Sequence, residues 1–143
     1  MKQSEPTKTV TTIIILLIAV VVGIFLLRNN EKNDSFDEVL LQSAKEINMK
    51  CPMKIDEHTR LDSVIALPNK TLQYNYSLVD VVKDSIALES FNPQLQQMIL
   101  NNVKTSEDLN VHRENQATLA YRYLDKNGAL VSNVVITADM YQP

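Results

Sequence analysis

Between Asp56 and Asp62 the chain places Asp56, Glu57, His58, Arg60 and Asp62 within seven positions. A carboxylate beside an imidazole is the pairing that moves protons, and a cluster of carboxylates with a histidine is the pairing that holds cations. A metal needs about three ligands converging on one point. Extended backbone from Arg60 puts Arg60 and Asp62 on one side and Leu61 on the other, which does not by itself converge them. The competing reading is structural: Asp56 caps a turn, Thr59 bonds to it, and Arg60 pairs with Asp62 or Asp56 at the base of a hairpin.

A second group is aromatic. Tyr74 and Tyr76, and later Tyr121 and Tyr123, sit at strand spacing, so each pair shares one face. They form either a platform for a ligand or the packing of a sheet with hydroxyls at its rim. Cys51 with His58 or His112 would be a thiol and its base. Cys51 falls at the expected C-terminus of a helix, however, where the partial negative charge disfavours a thiolate. His112 is flanked by Arg113, with Glu114 as its nearest carboxylate. No catalytic residue, metal site or cofactor is assigned.

The elements that position these residues follow from periodicity. Ser35-Phe36-Asp37-Glu38 matches a capping box, and Phe36, Val39, Leu40, Ala44 and Ile47 follow at helical spacing until Pro52 stops the run. Arg60–Leu67 and Thr71–Val79 alternate apolar and polar residues around a turn at Pro68-Asn69-Lys70, which predicts a hairpin. Asn92-Pro93 opens a second helix with Leu95, Met98, Ile99 and Val103 inward. Ala117–Leu124 and Leu130–Ala138, joined by Asp125-Lys126-Asn127-Gly128, predict a second hairpin. Asp80–Ser90 fits neither period. The stretch Thr71-Leu72-Gln73-Tyr74-Asn75-Tyr76 returns 47 residues later as Thr118-Leu119-Ala120-Tyr121-Arg122-Tyr123. Each copy follows a helix. The expected fold is therefore α+β, helix–hairpin–helix–hairpin, with one antiparallel sheet of about four strands and two helices on one face.

Composition closes several function classes. Residues 29–143 carry 11 Lys and Arg against 16 Asp and Glu, a net charge of about −5, the wrong sign for nucleic acid. Beyond Gly23 the only glycine is Gly128, so no phosphate-cradling loop, dinucleotide fingerprint or nucleophile elbow can be written. Cys51 is the only cysteine, which excludes an intrachain disulfide and any multi-thiolate zinc site.

Val10–Leu27 is uninterrupted except for Thr11 and Thr12, and as a helix its 18 residues reach about 27 Å, near the roughly 30 Å of a bilayer core. This predicts a transmembrane anchor. A cleaved signal peptide is the rival, but no small-x-small site follows the run, and no nearby cysteine offers a lipid attachment. The basic residues Lys2 and Lys8 favour an N-terminus left in the cytoplasm. The expected organisation is a flank at 1–9, the anchor at 10–27 in contact with the lipid bilayer, a linker at 28–35 and a soluble domain at 36–143. The expected address is the inner membrane, single-pass, with the C-terminal domain periplasmic. Ala19 and Gly23 share a helix face that would let two anchors pack as a homodimer, against the plainer reading of an ordinary Ala and Gly in an apolar helix; a lone Cys51 in an oxidising compartment could also pair with another chain.

Asn48-x-x-x-Pro52-x-x-x-Asp56-x-x-Thr59-Arg60-Leu61-Asp62, followed by the Tyr-x-Tyr strand, resembles a group of small uncharacterised bacterial proteins that carry an N-terminal apolar segment. The resemblance spans about residues 40–80 and implies an envelope protein with an α+β domain, without an activity to transfer. The function that follows is a membrane-tethered, non-enzymatic module that binds another envelope protein or peptide through its sheet. Its binding candidates are Asp56, His58, Arg60, Asp62, Tyr74, Tyr76, Tyr121 and Tyr123. The alternative is an envelope hydrolase or transferase that uses the Asp56–Asp62 loop as acid and base.

Overall fold

Phe36, Leu40 and Ala44, each a helical turn from the next, are all buried, and they define the inner stripe of the first helix, α1, at 36–48. The computed structural model describes residues 36–142. The capping residue Ser35 and the apolar run at 10–27 lie outside them. After α1 come a two-residue strand β1 (Met53–Lys54), then β2 (Thr59–Leu67) and β3 (Thr71–Leu78). A 3-10 turn at Lys83–Ser85 precedes α2 (Leu88–Thr105). A second such turn leads into the short α3 (Asn110–Glu114), followed by β4 (Thr118–Leu124), β5 (Leu130–Ile136) and α4 (Ala138–Tyr141).

Both predicted hairpins form. In the first, Asn69 and Lys70 take positive φ values of 62° and 55°, the left-handed pair that a tight two-strand turn requires. The Lys70 N–H donates to Asp37 Oδ1 at 2.6 Å, which ties this turn to α1. In the second, Gly128 supplies φ 83°.

The sheet has five strands in the order β1-β2-β3-β4-β5. All neighbours are antiparallel except β3 and β4, which run parallel. This corrects the expectation of a four-stranded antiparallel sheet built from two helix–hairpin units. Alternation marks a strand but carries no sign of its direction. The segment from the end of β3 returns through α2 and α3 before β4 begins, and such a crossover makes the two strands parallel. The 47-residue echo is this junction: Thr71 pairs with Thr118, Leu72 with Leu119, Tyr74 with Tyr121 and Tyr76 with Tyr123.

One face of the sheet carries Leu61, Val64, Leu72, Leu119, Val134 and Ile136, packed with Phe36, Leu40 and Ala44 of α1 and Leu95, Ile99 and Val103 of α2. Leu72, Leu119 and Ile136 are wholly buried, and each such side chain contributes roughly 1.5–3 kcal/mol. Arg113 donates from Nη1 to the carbonyls of Val103 and Ser106, closing the C-terminal end of α2. Tyr141 of α4 donates from its hydroxyl to the Ala117 carbonyl at 2.6 Å.

Two helical details depart from the sequence reading. α2 starts at Leu88, so Pro93 lies inside it and Asn92 is not its cap. Met98 and Val39, expected inward, are 63% and 50% exposed. No described helix is long and apolar enough to cross a membrane. The longest, α2, is 18 residues with an amphipathic distribution: one buried stripe and a polar outer face of Gln and Asn. The transmembrane helix is thus no part of the described fold.

Candidate functional site

The turn between β1 and β2 gathers the polar cluster. Asp56 Oδ1 accepts from the backbone N–H groups of His58 and Thr59, both at 2.8 Å, a side chain that folds its own turn. Those bonds, the one from His58 first, hold its carboxyl below the usual range. The His58 ring lies 2.6 Å from Asp80 Oδ2, and that hydrogen bond raises its pKa. The Val79 N–H donates to the His58 carbonyl, which fixes the turn against the end of β3.

Arg60 and Asp62 project together from the sheet face opposite the helices. Asp62 accepts from Arg60 Nε and from the Ser77 hydroxyl, each at 2.5 Å. Farther along the same face, Gln73 donates to Asn75 and Asn75 to Ser63. The cluster is therefore split in two. Asp56 and His58 fold the turn, while Arg60 and Asp62 belong to a hydrogen-bonded ladder across the open face. Among the described residues no set of three or more His, Cys, Asp or Glu side chains is arranged to hold a metal ion.

The tyrosines are brought together completely, on the helix-covered face. Tyr74 stacks on Tyr121 with ring centroids 5.2 Å apart, and Tyr76 stacks on Tyr123 at 4.9 Å. Tyr74 and Tyr76 lie 6.4 Å apart along their own strand. Parallel pairing in register causes this, because it sets identical residues side by side. Burial pushes the Tyr74 and Tyr76 hydroxyls up to about 12, and raises Tyr121 and Tyr123 as well. These four side chains form one wall of the core more than a platform open to a ligand.

Cys51 is half-buried beside Pro52, with its thiol pKa raised by burial and then by Asp62. That is the opposite of an activated nucleophile. His112 packs edge-on against Phe36 with centroids 6.4 Å apart, its ring nitrogens buried without partners and its pKa lowered by burial. Cys51 and the two histidines do not form a thiol–imidazole pair.

Two residues that organise the sheet's margins, and a third that is left unpaired, were not among the predicted site residues. Asn48, at the end of α1, gives Nδ2 to the Val64 carbonyl at 2.8 Å and accepts the Val64 N–H on Oδ1 at 2.7 Å, so one amide takes the place of a neighbouring strand. Asp125, buried in the β4–β5 turn, accepts from the N–H groups of Lys83, Asn127 and Ala129 at 2.8–2.9 Å. Those bonds hold its carboxyl below the usual range. Asn92 Oδ1 is buried with no donor. Asp125 at the head of Asp-Lys-Asn-Gly carried a turn signal in the sequence. The contact from Asn48 to a residue 16 positions away had none.

Residues 35–131 match the family model described as Domain of unknown function (DUF8479). No curated protein matches the chain. Among solved structures, a candidate secreted protein from Pseudomonas aeruginosa is similar, with 16% identity over 78% of this chain and 96% of that one and a TM-score of 0.66. The pilotin EpsS of the Vibrio vulnificus type 2 secretion system is similar at 11% identity, 80% and 98% coverage and a TM-score of 0.65. The type II secretion system pilotin AspS from Vibrio cholerae follows at 12%, 78% and 96%, with a TM-score of 0.60. The likeness establishes a shared fold. It also corrects the address: no described helix can span a bilayer, and the similar structures are a candidate secreted protein and two secretion-system pilotins, so the single-pass inner-membrane assignment is withdrawn.

Proposed function

We propose that this chain, which belongs to the DUF8479 family, is a non-enzymatic accessory protein of the cell envelope that holds a protein partner through its sheet. The observation that carries the reading is the match of its fold to nearly the whole of two secretion-system pilotins. The charged groups favour binding over catalysis as well. Asp56 is engaged by two backbone N–H groups, His58 by Asp80, and Asp62 by Arg60 and Ser77. A hydrolase or transferase would need such groups free and converging on a substrate. The described helices cover one side of the sheet, and among the described residues the ladder face and its flanking Ile65, Leu67 and Val135 are exposed.

Photo-crosslinking residues at Gln73 and Arg122 on the open face, and at Gln42 and Glu46 on the outer side of α1, test this in the full-length chain in cells. A discrete protein adduct from the sheet positions, absent from α1, is expected. Adducts of equal yield from both surfaces, or none from the sheet, overturn it. The triple variant Asp56→Asn, His58→Gln, Asp62→Asn should retain the adduct. Loss of the cellular phenotype with the adduct and the circular dichroism spectrum intact would favour an enzyme.

A further inference from the structure

The edges of the sheet differ in what they leave unused. At β2, β1 pairs with Arg60 and Leu61 and the Asn48 amide takes both outward backbone groups of Val64, so that Ala66 alone is left without a partner among the described residues. Because Val64 directs its N–H and C=O away from β3, alternation across the ladders directs those of Asn133 and Val135 away from β4. Among the described residues nothing pairs with them. Leu130–Ile136 has no proline and no charge, the usual guards of an exposed edge. The facing stretch of α2, residues 90–103, is uncharged too, in a chain in which 22% of residues are charged.

Between this edge and α2 runs a groove of about 480 Å³, lined by residues 130–135 of β5 with Asn92, Gln96 and Lys83. Two of its groups lack what they need. The buried Asn92 Oδ1 has no donor, and Lys83, the one charged lining residue, makes no ion pair among the described residues. The Lys83 backbone is anchored to Asp125, so its position beside the groove is set by the fold. We propose that an extended segment of a protein partner adds to β5 as a sixth strand, its backbone pairing with Asn133 and Val135 and a carboxylate of that segment meeting Lys83. A second copy pairing through its own β5 would bring no carboxylate to Lys83. The inference rests on the partner-binding reading above and names which margin of the sheet does the binding and what chemistry it accepts.

Fluorescence anisotropy with the full-length chain tests it, using the labelled peptide Thr-Val-Thr-Glu-Thr-Val-Thr, the same peptide with Lys for Glu, and an N-methylated form that cannot pair along one edge. The acidic peptide should bind at least about tenfold more tightly than the basic one, the size of effect expected for a charge-assisted contact in a groove. Lys83→Glu should reverse that order, Val135→Pro should abolish binding with an unchanged circular dichroism spectrum, and the N-methylated form should not bind. Failure of the acidic peptide to bind, equal binding of both peptides, or binding indifferent to N-methylation overturns the proposal. A dimer in sedimentation that Val135→Pro dissociates assigns the edge to a second copy and overturns it equally. If Val135→Pro leaves the adducts from Gln73 and Arg122 intact, strand addition falls and the accessory role stands; absence of those adducts in the unaltered chain removes the accessory role itself.

Discussion

At the β2 margin, a two-residue strand pairs with Arg60 and Leu61 and the side-chain amide of Asn48 takes both backbone groups of Val64, whereas at the β5 margin Asn133 and Val135 have no partner among the described residues and lie beside the uncharged stretch 90–103 of α2. Both margins are stabilised from their turns by a carboxylate. Asp56 gathers two backbone N–H groups in the β1–β2 turn, and the buried Asp125 gathers three in the β4–β5 turn. One edge is thus covered at Val64 by a residue from a helix, while the other is anchored at its turn by Asp125 and has no partner among the described residues. Rigidity without closure is what strand addition requires, since a preformed edge loses less entropy on binding.

Loosening the β5 margin at its turn should have the largest effect. Asp125→Ala should cause the largest fall in Tm of these changes, because Lys83, Asn127 and Ala129 all lose their acceptor; a fall smaller than that of Asn48→Ala, measured by thermal circular dichroism, would show that the β5 hairpin is not held at its turn. Asn48→Ala should cost about 1–2 kcal/mol in urea denaturation, two hydrogen bonds to Val64 being lost, and light scattering should register new self-association through the uncovered β2.

Acid acts on both turns at once. Asp56 and Asp125 bind their protons more weakly in the folded chain than in the unfolded one, so their contribution is complete above the ordinary carboxylate value of about 4 and is lost as pH falls through the lower folded values. Asp125→Asn should flatten the acid limb of the stability curve more than Asp56→Asn, given its three backbone partners against two. Val135→Pro is the smallest expected effect, below about 1 kcal/mol, because the N–H it removes faces outward. A larger loss would mean that Val135 pairs inward and that the open margin has been misplaced.

The strands were legible because alternation survives half-burial: β2, β3, β4 and β5 all fall within a few residues of the expected stretches. The tyrosine echo was legible too, but its meaning was not. Equal spacing is compatible with two hairpins pooled in an antiparallel sheet and with two strands lying side by side, and only the path of α2 selects the second. The start of α2 was displaced because Asn92-Pro93 reads locally as a cap, yet Leu88 to Phe91 extend the helix ahead of it, and Pro93, past the first turn, forgoes the one bond to the Glu89 carbonyl. Of the candidate site, the structural role of Asp56 and the Arg60–Asp62 pair followed from neighbours within a few residues. The pairing of His58 with Asp80, 22 residues away, did not.

The properties legible from residue order are local: where strands and helices form, which turns carry Asp, Asn and Gly, that no glycine-rich phosphate loop exists, and that the tyrosines share a face. Those properties depend on side-chain periodicity and on φ preferences over a few residues. That the repeated strands run parallel, that Asn48 covers Val64 at one margin and that β5 has no partner among the described residues came from the folded arrangement alone. Each of these rests on contacts between residues far apart in the chain, where the balance of burial and hydrogen bonding is settled by which surfaces meet.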